Sequence, residues 1–237
     1  MKLKKSTLFY YSLAEMPINI ALFPILVFIP KFYTGEMGVP LALAANIILA
    51  VRIFDVFTDP VVGYINDRTN TKWGRRRPWI AISTPLLMVS IYMLFIPPEG
   101  AGALHLFLWM FLLSIGTTML IIPYYAWGAE LSPDYNERSR ITGWRSISGV
   151  VGSLSAQLIP TIALVFFGLG GSTNVLYIVG IASVIIMPIC VFLTVLKVPE
   201  SKDYVQSNIS PIKGFKIMLE NSPFKRLIMA FMFGGIA

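Results

Sequence analysis

Six long apolar runs separated by short polar loops dominate the 237-residue chain, at about 8–33, 41–65, 78–97, 104–128, 142–169 and 174–196. A helix needs about 20 apolar residues to cross roughly 30 Å of hydrocarbon, and each run reaches that length. The pattern predicts an all-α integral membrane bundle of six spans. Pro17, Pro24 and Pro30 in the first run, Pro60 in the second and Pro123 in the fourth would break helices in water. In a membrane bundle they are tolerated and bend helices around cavities. Gly149, Gly152, Ser153 and Ser155 in the fifth run suit close helix contact.

The start MKLKK and the apolar residues after it have the outline of a signal peptide. The run to Tyr33 is too long for one and lacks a small-residue cleavage site, so it is expected to stay as a span. Residues 1–196 are thus read as the bundle and 197–223 as a polar middle loop. Within that loop, Ile212, Phe215, Ile217, Met218 and Leu219 form a partly amphipathic segment suited to a membrane surface. A further apolar run, within 224–237, is too short to span and is expected to be the start of a seventh helix. The expectation is the first half of a larger protein, although a split or degraded gene would look the same.

Composition agrees: 56% of residues are hydrophobic and 13% charged, with a mean hydropathy of +0.72. A soluble domain carries about twice that charged fraction. The net charge of +7 lies in loops between spans, which fits topology and anionic lipid headgroups rather than nucleic acid. Lys2, Lys4 and Lys5 precede span one, while Arg68, Lys72, Arg75, Arg76 and Arg77 follow span two. Arg138 and Arg140 follow span four, and six more basic residues follow span six; Lys31 alone lies on the other side. That asymmetry places the N-terminus in the cytoplasm of a cell with the chain in its cytoplasmic membrane. Cys190 is the lone cysteine, so no disulfide or cysteine-based metal site is expected. His105, the lone histidine, reads as a residue at the edge of a span rather than a proton relay.

The second run carries the chemistry. Arg52, Asp55, Asp59 and Gly63 are spaced three, four and four apart, so a helix puts them on one stripe. Each charge costs about 2.5–3.5 kcal/mol at the bilayer centre, and such residues mark ion or substrate paths. Charges of +1, −1 and −1 leave the cluster one positive charge short, which Na⁺ or a proton would supply. Two carboxylates four residues apart repel each other at low dielectric, and oxygen ligands suit a hard cation. The pair therefore reads as a coupling-ion site, with Arg52 as charge partner. The alternative is an internal ion-pair cluster that holds spans together.

Five stretches together resemble the glycoside-pentoside-hexuronide:cation symporters, the melibiose-permease branch of the major facilitator superfamily. They are FYTGEMGVP at 32–40, AVRIFDVFTDPVVGYINDRT at 50–69, WGRRRPW at 73–79, IPYYAWGAELSPDYNERSRITGWR at 122–145 and ENSPFKRL at 220–227. The resemblance implies twelve helices in two six-helix halves, the second not in this chain. It also implies that Asp55 and Asp59 bind the cation, with Thr118 as a hydroxyl ligand and Thr58 where the family carries asparagine. The family's sugar-binding acids on spans one and four fall on Asn19 and Ile121. Glu15 lies one turn before Asn19 on the same face, the span-four tryptophan falls on Tyr125 with Trp127 nearby, and Arg145 matches a span-five arginine. Glu15, Asn19, Tyr125, Trp127 and Arg145 are thus the expected substrate residues. For the aromatics a packing or lipid-facing role is the alternative. Gly63, Asp67, Arg68, Arg75, Arg76 and Arg77 resemble the superfamily's loop motif and are expected to tether cytoplasmic helix ends, or else to act only as a positive-inside anchor.

The expected function is cation-coupled symport of a sugar or glycoside, driven by Na⁺ or H⁺, with no cofactor. A lipid-like solute is the alternative within transport, because Ile121 cannot hydrogen-bond a sugar hydroxyl. The alternative from another class is a Mg²⁺-dependent intramembrane prenyltransferase-type enzyme, to whose aspartate-rich motif Asp55, Asp59 and Asp67 are similar. Those enzymes carry a second such motif, and no other Asp-xxx-Asp pair occurs here.

Overall fold

A computed structural model describes residues 2–168, 171–200 and 220–234. The chain divides into two units, Met1–Lys202 and Asp203–Ala237.

The first unit is helical: α1 (Lys5–Ser12), α2 (Glu15–Gly35), α3 (Leu41–Arg68), α4 (Arg77–Phe95), α5 (Ala103–Glu130), α6 (Tyr135–Phe167) and α7 (Ser172–Lys197). Taking α1 and α2 as one apolar stretch, six helices among the described residues are long and apolar enough to cross a membrane. The break between α1 and α2 has a cause in the sequence. Pro17 has no N–H to give to the Leu13 carbonyl, so the helical ladder cannot run through that turn. Pro24, Pro30, Pro60 and Pro123 lie inside helices, as do Pro85, Pro160 and Pro188.

Helix α6 begins at Tyr135, seven residues before the expected span, because Asp134 caps it. The Asp134 carboxylate accepts from the Glu137 N–H at 2.9 Å, which satisfies one of the unpaired donors of the first turn. Polar residues through Arg140 therefore become the first turns of a helix rather than a loop. The expected loop residues Arg138 and Arg140 instead tie down this end: Arg138 Nε donates to the Ser132 carbonyl at 2.9 Å and Arg140 pairs with Glu137 at 2.6 Å.

Helix α4 packs between α5 and α7, α2 packs on α6 and α7, and α3 packs chiefly on α5. The core holds Tyr11, Tyr33, Tyr124, Trp127, Phe32 and Phe95, all essentially inaccessible. Tyr11 and Tyr124 stack at 4.7 Å between ring centroids and exchange hydrogen bonds with each other's carbonyls, at 3.0 and 2.8 Å. Buried phenols need such partners, and here the exchange pins α1 to α5. His105 sits in the first turn of α5, its Nε2 2.8 Å from the Met93 carbonyl and its ring stacked on Tyr33. Helices α3 and α6 expose apolar rows including Phe54, Phe57, Val61, Ile147, Leu154 and Leu158.

In the second unit α8 covers Ser222–Gly234. Asn221 caps it, its side chain accepting from the Phe224 N–H at 3.1 Å. The amphipathic segment expected around 212–219 lies outside the described residues.

Candidate functional site

Three polar clusters lie on this scaffold. The first joins α3 to α5. Asp55 and Asp59 share a face of α3, and two hydroxyls of α5 reach across to them. Thr118 donates to Asp59 Oδ1 at 2.7 Å, and Ser114 donates to Asp55 Oδ1. Arg52 Nη1 lies 3.4 Å from Asp55 Oδ2, with the Arg52 side chain 59% exposed and that of Asp55 18%. These residues border an open cavity of about 170 Å³ whose other walls include Leu22, Ile25, Met110, Thr117, Ile121 and Ile122. Among the described residues, all of its polar lining comes from α3 and α5.

Thr58 does not complete this oxygen set as expected. Its hydroxyl turns back to the Asp55 main-chain carbonyl at 3.4 Å, the common habit of a helical threonine. Ser114 was missed by sequence reasoning. Its spacing of four from Thr118, matching the spacing of the two acids, is the signal that would have found it.

The second cluster brings together α2, α5 and α6. Tyr125 donates to Glu15 Oε1 at 3.1 Å, and the Arg145 guanidinium lies 3.8 Å from the centre of the Tyr125 ring. Such stacking contributes about 0.5–2 kcal/mol. Glu15 is 9% exposed, and its Oε2 is buried with no hydrogen-bond partner among the described residues. Asn19 spends its amide on the Glu15 main-chain carbonyl at 2.9 Å. Thus Glu15, Tyr125 and Arg145 meet, while Asn19 supports the helix beside them.

Trp127 is a correction. It is wholly buried, its Nε1 donates to the Pro199 carbonyl at 3.1 Å, and its ring stands edge-on to Tyr11. Two residues beyond Tyr125 on a helix lies about 200° round the axis, so Tyr125 and Trp127 cannot share a face.

Glycines let α6 come this close. A Cβ on Gly149 would lie 3.2 Å from the Asn19 amide, and one on Gly152 would run into the Met16 carbonyl. Gly152→Leu is therefore expected to push α6 off α2, separate Arg145 from Glu15 and destabilise the bundle by about 1–3 kcal/mol, the usual cost of overpacking. Thermal unfolding in detergent measures it, and an unshifted curve would contradict the packing described here.

The third cluster lies where the helix ends meet the WGRRR loop. Arg76, with 4% of its side chain exposed, pairs with Asp67 at 2.8 Å and with Glu130 at 2.7 Å, and also donates to Asn66. Arg75 pairs with Glu130 as well. Burial by itself would pull the Arg76 pKa down. The hydrogen bond and charge of Glu130, followed by those of Asp67, outweigh it and hold the guanidinium above its ordinary value. Glu200 Oε1 accepts the successive main-chain N–H groups of Arg75 and Arg76 at 2.6 and 2.7 Å. Gly74, at φ +114°, makes the turn that aims them, in a conformation costly for any residue with a Cβ. Arg77 donates to the Val198 carbonyl at 2.6 Å. The loop is therefore tied to the ends of α3 and α5 and to the residues after α7, which is more than an anchor for headgroups. Arg68 and Gly63 stay outside this network. Arg68 lies over the Tyr64 ring at 4.2 Å, and Gly63 faces Ile122 inside α3. Asn66, Glu130 and Glu200 were missed: Asn66 and Glu130 lie within the stretches at 50–69 and 122–145, but the partners of all three lie across loops and the local pattern does not single them out.

A family model described as "MFS/sugar transport protein" matches residues 10–237. The isoprimeverose transporter of Lactiplantibacillus pentosus is 29% identical over 229 residues, covering 91% of this chain and 47% of that protein. The putative glycoside/cation symporter YagG of Escherichia coli K12 is 28% identical over 209 residues, covering 84% of this chain and 44% of that protein. The sodium-dependent lysophosphatidylcholine symporter 1 of Mus musculus is 27% identical over 250 residues, covering 89% and 46% respectively. The chain spans about half the length of these relatives. With six membrane-length helices among the described residues, an acid pair on the second of them and a family match over nearly its whole length, the chain belongs to the MFS sugar-transport family, of the glycoside-pentoside-hexuronide:cation symporter type.

Proposed function

We propose that this chain works as one half of a cation-coupled symporter, moving a sugar or glycoside across the cytoplasmic membrane by alternating access. The observation that carries the reading is the acid pair: two carboxylates on one face of α3, each met by a hydroxyl from α5, beside an open cavity. A membrane helix holds such charges only when they are paired or used, and here one arginine serves two acids. Asp55, Asp59 and Thr118 would bind Na⁺ or receive a proton, with Thr58 as a lesser contributor. Glu15, Tyr125 and Arg145, with Asn19 beside them, would face the solute: an acceptor with a spare oxygen, a phenol and a guanidinium suit hydroxyl-rich molecules. A second six-helix half would close the cavity. The charge bias of the loops supports a cytoplasmic N-terminus.

Membership of a transport family decides against the prenyltransferase-type enzyme. A less polar, lipid-like solute keeps support from two observations. Ile121 and Ile122 line the cavity beside the acids, and one relative carries a lysophospholipid by its name.

The test is uptake of labelled glycosides and of a lysophospholipid by membrane vesicles from cells expressing the complete reading frame. Glycoside accumulation that follows an imposed Na⁺ or H⁺ gradient is expected. Accumulation of the lysophospholipid alone would replace the sugar reading, and uptake indifferent to both gradients would end the coupling assignment.

A further inference from the structure

The hydroxyls of α5 behave in two ways. Thr117 bonds back to the Leu113 carbonyl at 2.8 Å, which is what serines and threonines inside helices ordinarily do. Ser114 and Thr118 give up that local bond and donate instead to carboxylates on another helix. The pairs are in register: Asp55 and Asp59 are four apart on α3, and Ser114 and Thr118 are four apart on α5. One helical step of about 6 Å therefore repeats the same hydroxyl–carboxylate contact along the interface.

The two contacts are not equivalent. Arg52 takes Oδ2 of Asp55, which leaves Oδ1 as the oxygen that Asp55 can offer to an ion. That is the oxygen Ser114 addresses. Arg52, Asp55 and Asp59 are the charged groups lining the cavity, so an arriving ion meets the Ser114 hydroxyl as part of its first approach to Asp55.

Resting on the cation-site reading above, we propose that Ser114 is a specificity-determining residue of that site, a hydroxyl that donates to Asp55 when the site is empty and turns an oxygen lone pair to Na⁺ when it is filled. A hydroxyl carries one donor and two acceptor positions and rotates between roles about a single bond. The switch needs no movement of either helix. A hard metal cation gathers several oxygens, and Thr58, whose hydroxyl turns to the α3 main chain, is not among the residues lining the cavity, which leaves the set short of one. Ser114 supplies it. A proton asks for a single carboxylate oxygen, so this hydroxyl favours sodium over a proton.

The experiment is binding of radioactive sodium to the complete protein, purified in lipid nanodiscs at alkaline pH. Wild type is compared with Ser114→Ala, Ser114→Cys, Ser114→Thr and Asp59→Asn. Sodium affinity should fall about tenfold, equivalent to 1.4 kcal/mol, in Ser114→Ala. It should fall similarly in Ser114→Cys, which keeps the size but replaces a hard oxygen with soft sulfur. Ser114→Thr, which restores the hydroxyl, should stay within about threefold of wild type. A hydroxyl that merely tied two helices together would leave affinity unmoved. If either the Ala or the Cys variant binds sodium as wild type does, the proposal is overturned. If wild type binds no more sodium than Asp59→Asn, the cation-site reading itself fails, a result distinct from failure at Ser114 alone.

Discussion

Asp59→Asn is expected to leave the bundle folded and to remove cation coupling. The substitution keeps the shape of the side chain and an oxygen for the Thr118 hydroxyl, which now donates to Asp59 at 2.7 Å. What it removes is the one negative charge that a single arginine leaves uncompensated. With Asp55 already paired to Arg52, the site loses its net charge of −1 and with it the demand for a counter-ion. Sodium binding should weaken by about a hundredfold or more, equivalent to about 2.7 kcal/mol. Gradient-driven accumulation by the complete protein should disappear, while helix content by circular dichroism stays the same. Undiminished accumulation in this variant would show that the ion is held elsewhere.

Glu130→Gln should produce the largest loss of stability. Glu130 Oε1 accepts from both Arg75 and Arg76, and Arg76 is buried. Removing one partner of a buried ion pair costs about 3–5 kcal/mol, chiefly because the remaining charge stays in low dielectric without compensation. Asp67 still faces Arg76, but its side chain is 57% exposed, so it recovers only part of that loss. A drop of about 3 kcal/mol in unfolding free energy is expected. Changing Arg76 to Met in the same chain should recover much of it, because the stranded charge is then gone. A double-mutant cycle measures the coupling. Equal losses in Glu130→Gln and in the double variant would mean that Glu130 acts through something other than Arg76. Glu200 holds the neighbouring turn chiefly through main-chain donors, with the Arg77 guanidinium farther off at 3.9 Å, so its removal should loosen the loop while leaving only the partly exposed Arg77 short of a partner.

Much of this molecule is legible locally. The membrane helices follow from apolar run length, and the stripe of Arg52, Asp55 and Asp59 follows from helical period. The N-terminal extension of α6 was also present in the chain, as an aspartate followed three residues later by a glutamate, but a hydropathy reading hides a cap inside a polar loop. Trp127 failed for the opposite reason. Proximity to Tyr125 in sequence suggested a shared role, and the helical screw sends the two to different faces.

Other features had no local signal. Ser114 is one of several hydroxyls on its helix, and only its contact with a residue 59 positions away separates it from Thr117. Glu130 and Glu200 owe their roles to partners 54 to 125 positions away, beyond the reach of any motif. By itself the amino-acid order determined the membrane class, the number of membrane-length helices and the helix face that carries the acids, because these depend on transfer energies and on a fixed 3.6-residue period. Tertiary packing alone decided which hydroxyl meets which carboxylate, which arginine is buried and which aromatic is core, because those are set by how helices cross, and that crossing depends on small residues and bends distributed over the whole chain.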